Sequence, residues 1–368
     1  MSDDTAAYLE ELAATLASFG SNLAALRMAE FEKRVAPEPP APSVPAQPQV
    51  TMGGDVTPAG TVGAVARQYT GGLVVVGCGD STARIISATT MTPVAVITLG
   101  GAATMVAATP ETGYGFFAYV GSAGDGSIIS TASFVRAGVL TANAYGIAIT
   151  PDGAYAWCTA PASNSVFYFD TASHSLVSSV ALGAVPCGIA ITPDGTCAYV
   201  VAGQSVKVIL LSTLAVVATI SLPSDGSYPY GIAITPDGTR AYVSDIAGGK
   251  NRVWCISTAT NAITATISTA GFGTEPYGLR VSPDGAYVWA AFRGSDTIGA
   301  IRTSDNAPVF DVAVGDGPVD LAITADGAYI WVTNYIAGTV SVVRTSDRTV
   351  TRTITVGANP HGIAIAGA

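Results

Sequence analysis

One phrase recurs along the chain: YGIAITPDGAYAW, CGIAITPDGTCAYV, YGIAITPDGTRAYV, YGLRVSPDGAYVWA, VDLAITADGAYIWV and, at the very end, HGIAIAGA. Its leading position falls at Gly146, Gly188, Gly231, Gly278, Asp320 and Gly362, so the intervals are 42, 43, 47, 42 and 42 residues. A period in this range, with the short alternations of strands inside it, means one four-stranded unit per copy and predicts a β-propeller.

Each unit reads strand by strand. Ile147-Ala148-Ile149 is a short apolar strand, and Pro151-Asp152-Gly153 is a turn in which Pro pre-sets φ, Asp bonds back onto the backbone and Gly takes positive φ. A second strand is predicted from Ala154 to Thr159, a third from Ser165 to Asp170 and a fourth from Leu176 to Leu182. Gly183 and Pro186 reset the chain for the next copy. Second strands of this kind lie near Leu73, Phe116, Tyr155, Ala198, Ala241, Tyr287 and Tyr329, which predicts seven blades. The inner-strand phrase occurs once more than that if both Val62–Ala66 and Gly362–Ala366 count. An open ring leaves an unpaired sheet edge, so the C-terminal GIAIA is expected to close it against the blade containing Leu73–Gly77.

Tyr242-Val243-Ser244-Asp245 and Trp331-Val332-Thr333-Asn334, each following an ITPDG or ITADG phrase, resemble the YVTN family of β-propeller repeats over residues 60–368. That resemblance implies a binding platform of the sort found on microbial cell surfaces and virions. A sister group of similar shape includes lactonases and quinone- or haem-dependent enzymes.

The first fifty residues follow other rules. Leu9, Leu12, Leu16, Phe19, Leu23 and Leu26 are spaced as an a/d heptad seam, with Asp3 and Asp4 near the expected helix start and Lys33 and Arg34 near its end. The uninterrupted seam favours one helix over a hairpin broken at Gly20-Ser21-Asn22. Residues 36–50, APEPPAPSVPAQPQV, lack backbone donors at six prolines and predict a stiff polyproline II spacer. The expected organisation is therefore a helical anchor or oligomerisation segment at 1–35, a Pro-rich linker at 36–59 and an all-β, seven-bladed propeller at 60–368.

With 49% hydrophobic residues and 41 glycines, the chain has enough apolar surface for a large core and enough turn-formers for an all-β domain. The net charge of −10, with lysine only at 33, 207 and 250, argues against nucleic acid or an anionic membrane as partner. No apolar run reaches the length of a membrane span. The opening MSDDTAAYLEEL carries no export signal of the usual kind, which favours a phage or virus virion protein over a cell-surface one.

Histidine occurs only at 174 and 361, so neither a His-rich metal site nor a cofactor is expected. The cysteines, Cys78, Cys158, Cys187, Cys197 and Cys255, show no CxxC spacing and read as small buried hydrophobes. GCGDS at 77–81 and GSAGDGS at 121–127 lack the Gly-Lys-Ser/Thr ending of a phosphate loop. The repeated Asp152, Asp194, Asp237 and Asp284 keep one place between Pro and Gly, as turn residues do, rather than forming a calcium cage.

One constellation is chemically richer. The residue before each leading position is Tyr145, Cys187, Tyr230, Tyr277, Val319 and His361. Equivalent positions of a propeller form a circle about its axis, so Tyr145, Tyr230, Tyr277 and His361 are expected to converge at one channel mouth. There they suit a glycan or protein ligand, or wedge the blades together. The expected function is a non-enzymatic virion appendage, a fibre, spike or decoration assembled in the host cytoplasm. The helix is expected to anchor it to a virion or surface protein or to form a homotrimer, and the propeller to bind a receptor. The alternatives are a bacterial or archaeal envelope propeller and a lactonase-like enzyme.

Overall fold

The computed structural model of the protein describes residues 72–109, 117–122, 126–131, 133–140 and 144–366. The helix expected at 1–35 with its seam Leu9, Leu12, Leu16, Phe19, Leu23 and Leu26, the Pro-rich linker and the phrase Val62–Ala66 lie outside the described residues.

The described residues form seven four-stranded antiparallel sheets, an all-β propeller. In chain order, six of them span residues 103–140, 147–181, 186–221, 229–268, 276–313 and 318–355. The seventh joins both ends of the described chain: Pro360–Ala366 pairs antiparallel with Leu73–Cys78, with Leu73 opposite Ala366 and Val76 opposite Ile363. The C-terminal phrase thus closes the ring where the sequence placed it. We call this closing sheet sheet 1 and the others sheets 2 to 7 in chain order.

Burial follows from how the sheets face one another. Seven apolar clusters fill the seams, one between each pair of neighbours. Trp331 of sheet 7 packs with Val74, Val76 and Ile86 of sheet 1, so the closing seam is as apolar as the rest. The aromatic of the second strand recurs in this role at Trp157, Tyr199, Tyr242, Trp289 and Trp331. Where it is tyrosine, the hydroxyl reaches across the seam: Tyr199 donates to Asn261 Oδ1 at 2.7 Å and Tyr242 to Asn306 Oδ1 at 2.8 Å.

Two parts of the repeated phrase have separate physical duties. In the turn, Asp152 Oδ1 accepts from Thr150 Oγ1 at 2.5 Å and from the Ala154 amide at 3.0 Å. Gly153, Gly195, Gly238, Gly285 and Gly327 all take φ near +70°, which is why glycine stands there. The leading glycine is different, because its φ is ordinary and its neighbours are close. A Cβ on Gly146, Gly188 or Gly231 would land on the carbonyl oxygen of Cys187, Tyr230 or Tyr277 of the following sheet, and one on Gly278 would lie 2.7 Å from the Val319 carbonyl. Glycine here lets the innermost strands crowd the axis.

The second-strand hydroxyl stitches the same contact. Thr159 Oγ1 accepts from the Gly146 amide at 2.7 Å and donates to the Cys187 carbonyl at 2.8 Å. Ser244 repeats this with Gly231 and Tyr277, and Thr333 with Asp320 and His361. Each bridge joins two neighbouring sheets, and the last crosses the closing seam.

Candidate active site at the axis

The innermost strands of sheets 2, 4, 5, 6, 7 and 1 are Ala103–Ala108, Pro186–Ile191, Pro229–Ile234, Pro276–Val281, Pro318–Ile323 and Pro360–Ala366; in sheet 3 only Ile147–Ile149 is strand. Together they line an axial cavity of about 460 Å³. The position before the leading glycine is filled, from sheet 1 to sheet 7, by His361, Thr104, Tyr145, Cys187, Tyr230, Tyr277 and Val319. The sheet register aligns Met105, not Thr104, with the leading glycines, since Ala103 pairs with Ser122 as Pro186 pairs with Ala202. A Cβ on Gly362 would accordingly strike the Met105 backbone.

Tyr145, Tyr230, Tyr277 and His361 come together across the axis. The hydroxyls of Tyr145 and Tyr230 are 2.6 Å apart, and that of Tyr230 is 3.5 Å from His361 Nε2. The rings of Tyr230 and Tyr277 are 5.0 Å apart, those of Tyr145 and Tyr230 6.1 Å, and those of Tyr145 and His361 6.5 Å. Tilted and edge-on pairs at these separations are the favoured aromatic geometries.

Two further residues complete the circuit. Arg293 donates from Nη1 to the Tyr277 hydroxyl at 3.1 Å, and its guanidinium lies 5.3 Å from the Tyr277 ring centre and 5.7 Å from that of Tyr335. Tyr335 in turn stands edge-on to His361 at 6.0 Å. Both follow the end of a second strand, where other sheets carry Gly79, Pro161, Gly203 and Ile246. Sequence reading missed them because they fall outside the repeated phrase. A column drawn one residue beyond each second strand would have picked out the arginine and the tyrosine.

The electrostatics divide the cluster into donors and an acceptor. Burial holds the phenols of Tyr145 and Tyr230 well above the ordinary tyrosine value, so both stay protonated. Burial, with the neighbouring Arg293 charge, pushes His361 down to about 4, so its imidazole is neutral near pH 7. The Tyr277 phenol beside Arg293 raises the guanidinium further, and Arg293 remains a cation. Its Nε has no hydrogen-bond partner among the described residues. A neutral proton acceptor thus sits beside hydroxyl donors and a fixed positive charge.

Cys78, Cys158 and Cys255 are buried, and burial raises the Cys78 thiol to about 11 and the Cys187 thiol to about 12. Cys187 occupies one place in the axial circle. His174 lies in a hairpin turn at φ +58°, away from the axis.

Solved structures with this architecture include hydrazine synthase from Kuenenia stuttgartiensis, 19% identical with a TM-score of 0.66, covering 78% of this chain and 99% of that one. A functionally unknown protein from Desulfotomaculum acetoxidans is 18% identical with a TM-score of 0.67, covering 80% and 98%. Dihydro-heme d1 dehydrogenase NirN, in complex with DHE, is 16% identical with a TM-score of 0.59, covering 83% and 77%. At these identities the likeness concerns the fold. No curated protein sequence matches the chain. The profile of the virginiamycin B lyase family, by contrast, matches residues 130–368, from sheet 2 through the closing strand. This corrects two expectations: the match is to this propeller family and not specifically to YVTN repeats, and a family named for a lyase overturns the assignment as a non-enzyme. The chain belongs to the virginiamycin B lyase family.

Proposed function

We propose that the protein is an enzyme of the lyase class that works at the axial cluster. The observation that carries this reading is the neutral His361 imidazole 3.5 Å from the Tyr230 hydroxyl, with Arg293 held alongside between Tyr277 and Tyr335. An elimination breaks a bond to a leaving group while a proton leaves the adjacent carbon. It needs a base, a proton source for the leaving group and a cation near the charge that develops. His361 Nε2 is the base of this proposal, taking the proton from carbon. Tyr230, buttressed by Tyr145, supplies a proton to the leaving atom. Arg293, with the Tyr277 hydroxyl, stabilises the negative charge on the substrate. Tyr145 and Tyr230 also line the cavity, which gives the substrate a place to lie.

Virginiamycin B, for which the family is named, is the first substrate to try. Product formed in isotopically labelled water should carry no label and should show the absorbance of a new double bond. Because His361 is neutral down to about 4, kcat/KM should be flat from about pH 5 to about pH 8 and fall only at lower pH. Incorporated label would identify a hydrolase and overturn the elimination. An inflection near the ordinary imidazole value would remove His361 as the base.

A further inference from the structure

Three residues further along the innermost strands, a second circle runs about the axis, and all of its members but Ala148 line the cavity. It holds alanine in six sheets, at Ala107, Ala148, Ala190, Ala233, Ala322 and Ala364, and arginine in one, at Arg280. These positions are equivalent by register: Arg280 pairs with Trp289 as Ala233 pairs with Tyr242 and Ala322 with Trp331. The next sheet carries the matching exception, because Asp320 stands at the leading position that glycine fills in sheets 3 to 6 and in sheet 1. The two exceptions meet. Arg280 Nη2 lies 3.1 Å from Asp320 Oδ1, Arg280 Nη1 donates to the Leu279 carbonyl at 2.9 Å, and Asp320 Oδ2 accepts from the Ile363 amide at 3.3 Å.

The pair is lopsided in a telling way. The Asp320 side chain is 1% exposed, whereas that of Arg280 is 32% exposed and lines the cavity. A guanidinium carries five N–H donors in a planar fork, and those not spent on Leu279 and Asp320 face a space walled by alanine, isoleucine and valine. A structural ion pair in the wall has no need to expose its cation, and burying such a pair gains little over apolar packing. An arginine oriented from behind by a buried carboxylate is how a fork is aimed at an oxyanion.

We infer that the axial cavity holds an apolar organic anion whose carboxylate docks on Arg280, with the apolar body against the alanine circle. The volume of about 460 Å³ is that of a small-molecule site. This site lies on the same channel as the tyrosine and histidine cluster but needs no reaction there, so it stands or falls apart from the lyase reading.

The test is calorimetric titration of the full chain with octanoate, 1-octanol and octylamine, which share a tail and differ in head group. Octanoate should bind about tenfold or more tighter than octanol, the return of a charge-assisted hydrogen bond. The double variant Arg280→Ala/Asp320→Gly gives both positions the residues of the other sheets and removes the buried carboxylate with its partner. In it the preference for octanoate should vanish. Arg280→Lys, which keeps a charge for Asp320 but loses the fork, should weaken octanoate and leave octanol unchanged. Equal binding of octanoate and octanol, a preference for octylamine, no binding of octanoate, or an octanoate preference that survives in the double variant would each overturn the inference.

Discussion

Two neighbouring residues on each innermost strand teach opposite lessons. The leading position is nearly uniform, with Gly146, Gly188, Gly231, Gly278 and Gly362, because the carbonyl or backbone of the next sheet occupies the space a Cβ would need. The position just before it varies freely among His361, Thr104, Tyr145, Cys187, Tyr230, Tyr277 and Val319, yet four of these, Tyr145, Tyr230, Tyr277 and His361, meet across the axis. Uniformity therefore marks a steric demand repeated by the architecture. Divergence against that background marks chemistry that the architecture does not require. The same contrast isolates Arg280 from six alanines and Asp320 from five glycines.

The sharpest way to break the comparison is to fill the uniform position. Gly188→Val would drive a branched side chain into the Tyr230 carbonyl, backbone that has no room to retreat, and should cost about 3 kcal/mol or more. Tyr230→Phe, one sheet away, removes only a hydroxyl and should cost about 1 kcal/mol. Denaturant melts of both variants check this. Similar losses would make the tyrosines wedges of the fold and not a site.

Ser244→Ala should fall between them, at about 1 to 2 kcal/mol, since it leaves the Gly231 amide and the Tyr277 carbonyl without their shared hydroxyl. Ala291 occupies the equivalent place in sheet 6 without such a bridge, so an Ala291→Ser variant measured beside it tells whether the stitch or the close packing matters more.

The Pro-Asp-Gly turns should add an acid response of their own to that of His361 at the axis. Hydrogen bonds from Thr150, Thr192, Thr235, Ser282 and Thr324 hold the carboxyls of Asp152, Asp194, Asp237, Asp284 and Asp326 below the usual carboxylate range. A carboxyl whose folded value is depressed contributes stability above its unfolded value, and that contribution is lost as pH falls through the folded one. Tm should therefore fall gently between about pH 6.5 and about pH 4, as His361 protonates in the unfolded chain but not in the fold, and decline further below about pH 4 as the aspartates protonate. Replacing all five aspartates with asparagine should flatten that decline; an unchanged decline would place the acid sensitivity elsewhere.

The smallest effect is expected from residues 1–50. Every strand of the seven sheets lies within residues 73–366, and the ring is closed by Pro360–Ala366 against Leu73–Cys78. Deleting residues 1–50 should leave the cooperative melt unchanged, and loss of that melt would show that they contribute to the fold.

Much of the fold was legible because its cause is local and repeated. Pro-Asp-Gly writes a turn into each copy, and the surplus GIAIA at 362–366 had a single open edge to fill. Sheet 2 was harder to read. Its inner strand carries Met105 where glycine is usual, 41 residues before Gly146, one place out of step with the usual interval of 42. For the site, Tyr145, Tyr230, Tyr277 and His361 were visible as one column because the period places them together. Arg293 and Tyr335 were not, since contact across an axis joins residues from different columns and no spacing along the chain records it. The enzymatic character was hidden for a related reason: Arg293 and Tyr335 are single exceptions that stand outside the repeated phrase.

The most direct test of the axial cluster as an active site is kcat/KM at about pH 7 for His361→Asn, read beside its melting curve. Loss of the base should lower kcat/KM about a hundredfold or more while the melt moves little, because the Thr333 bridge to position 361 uses the backbone carbonyl. Retention of full activity in a folded His361→Asn protein would contradict the assignment.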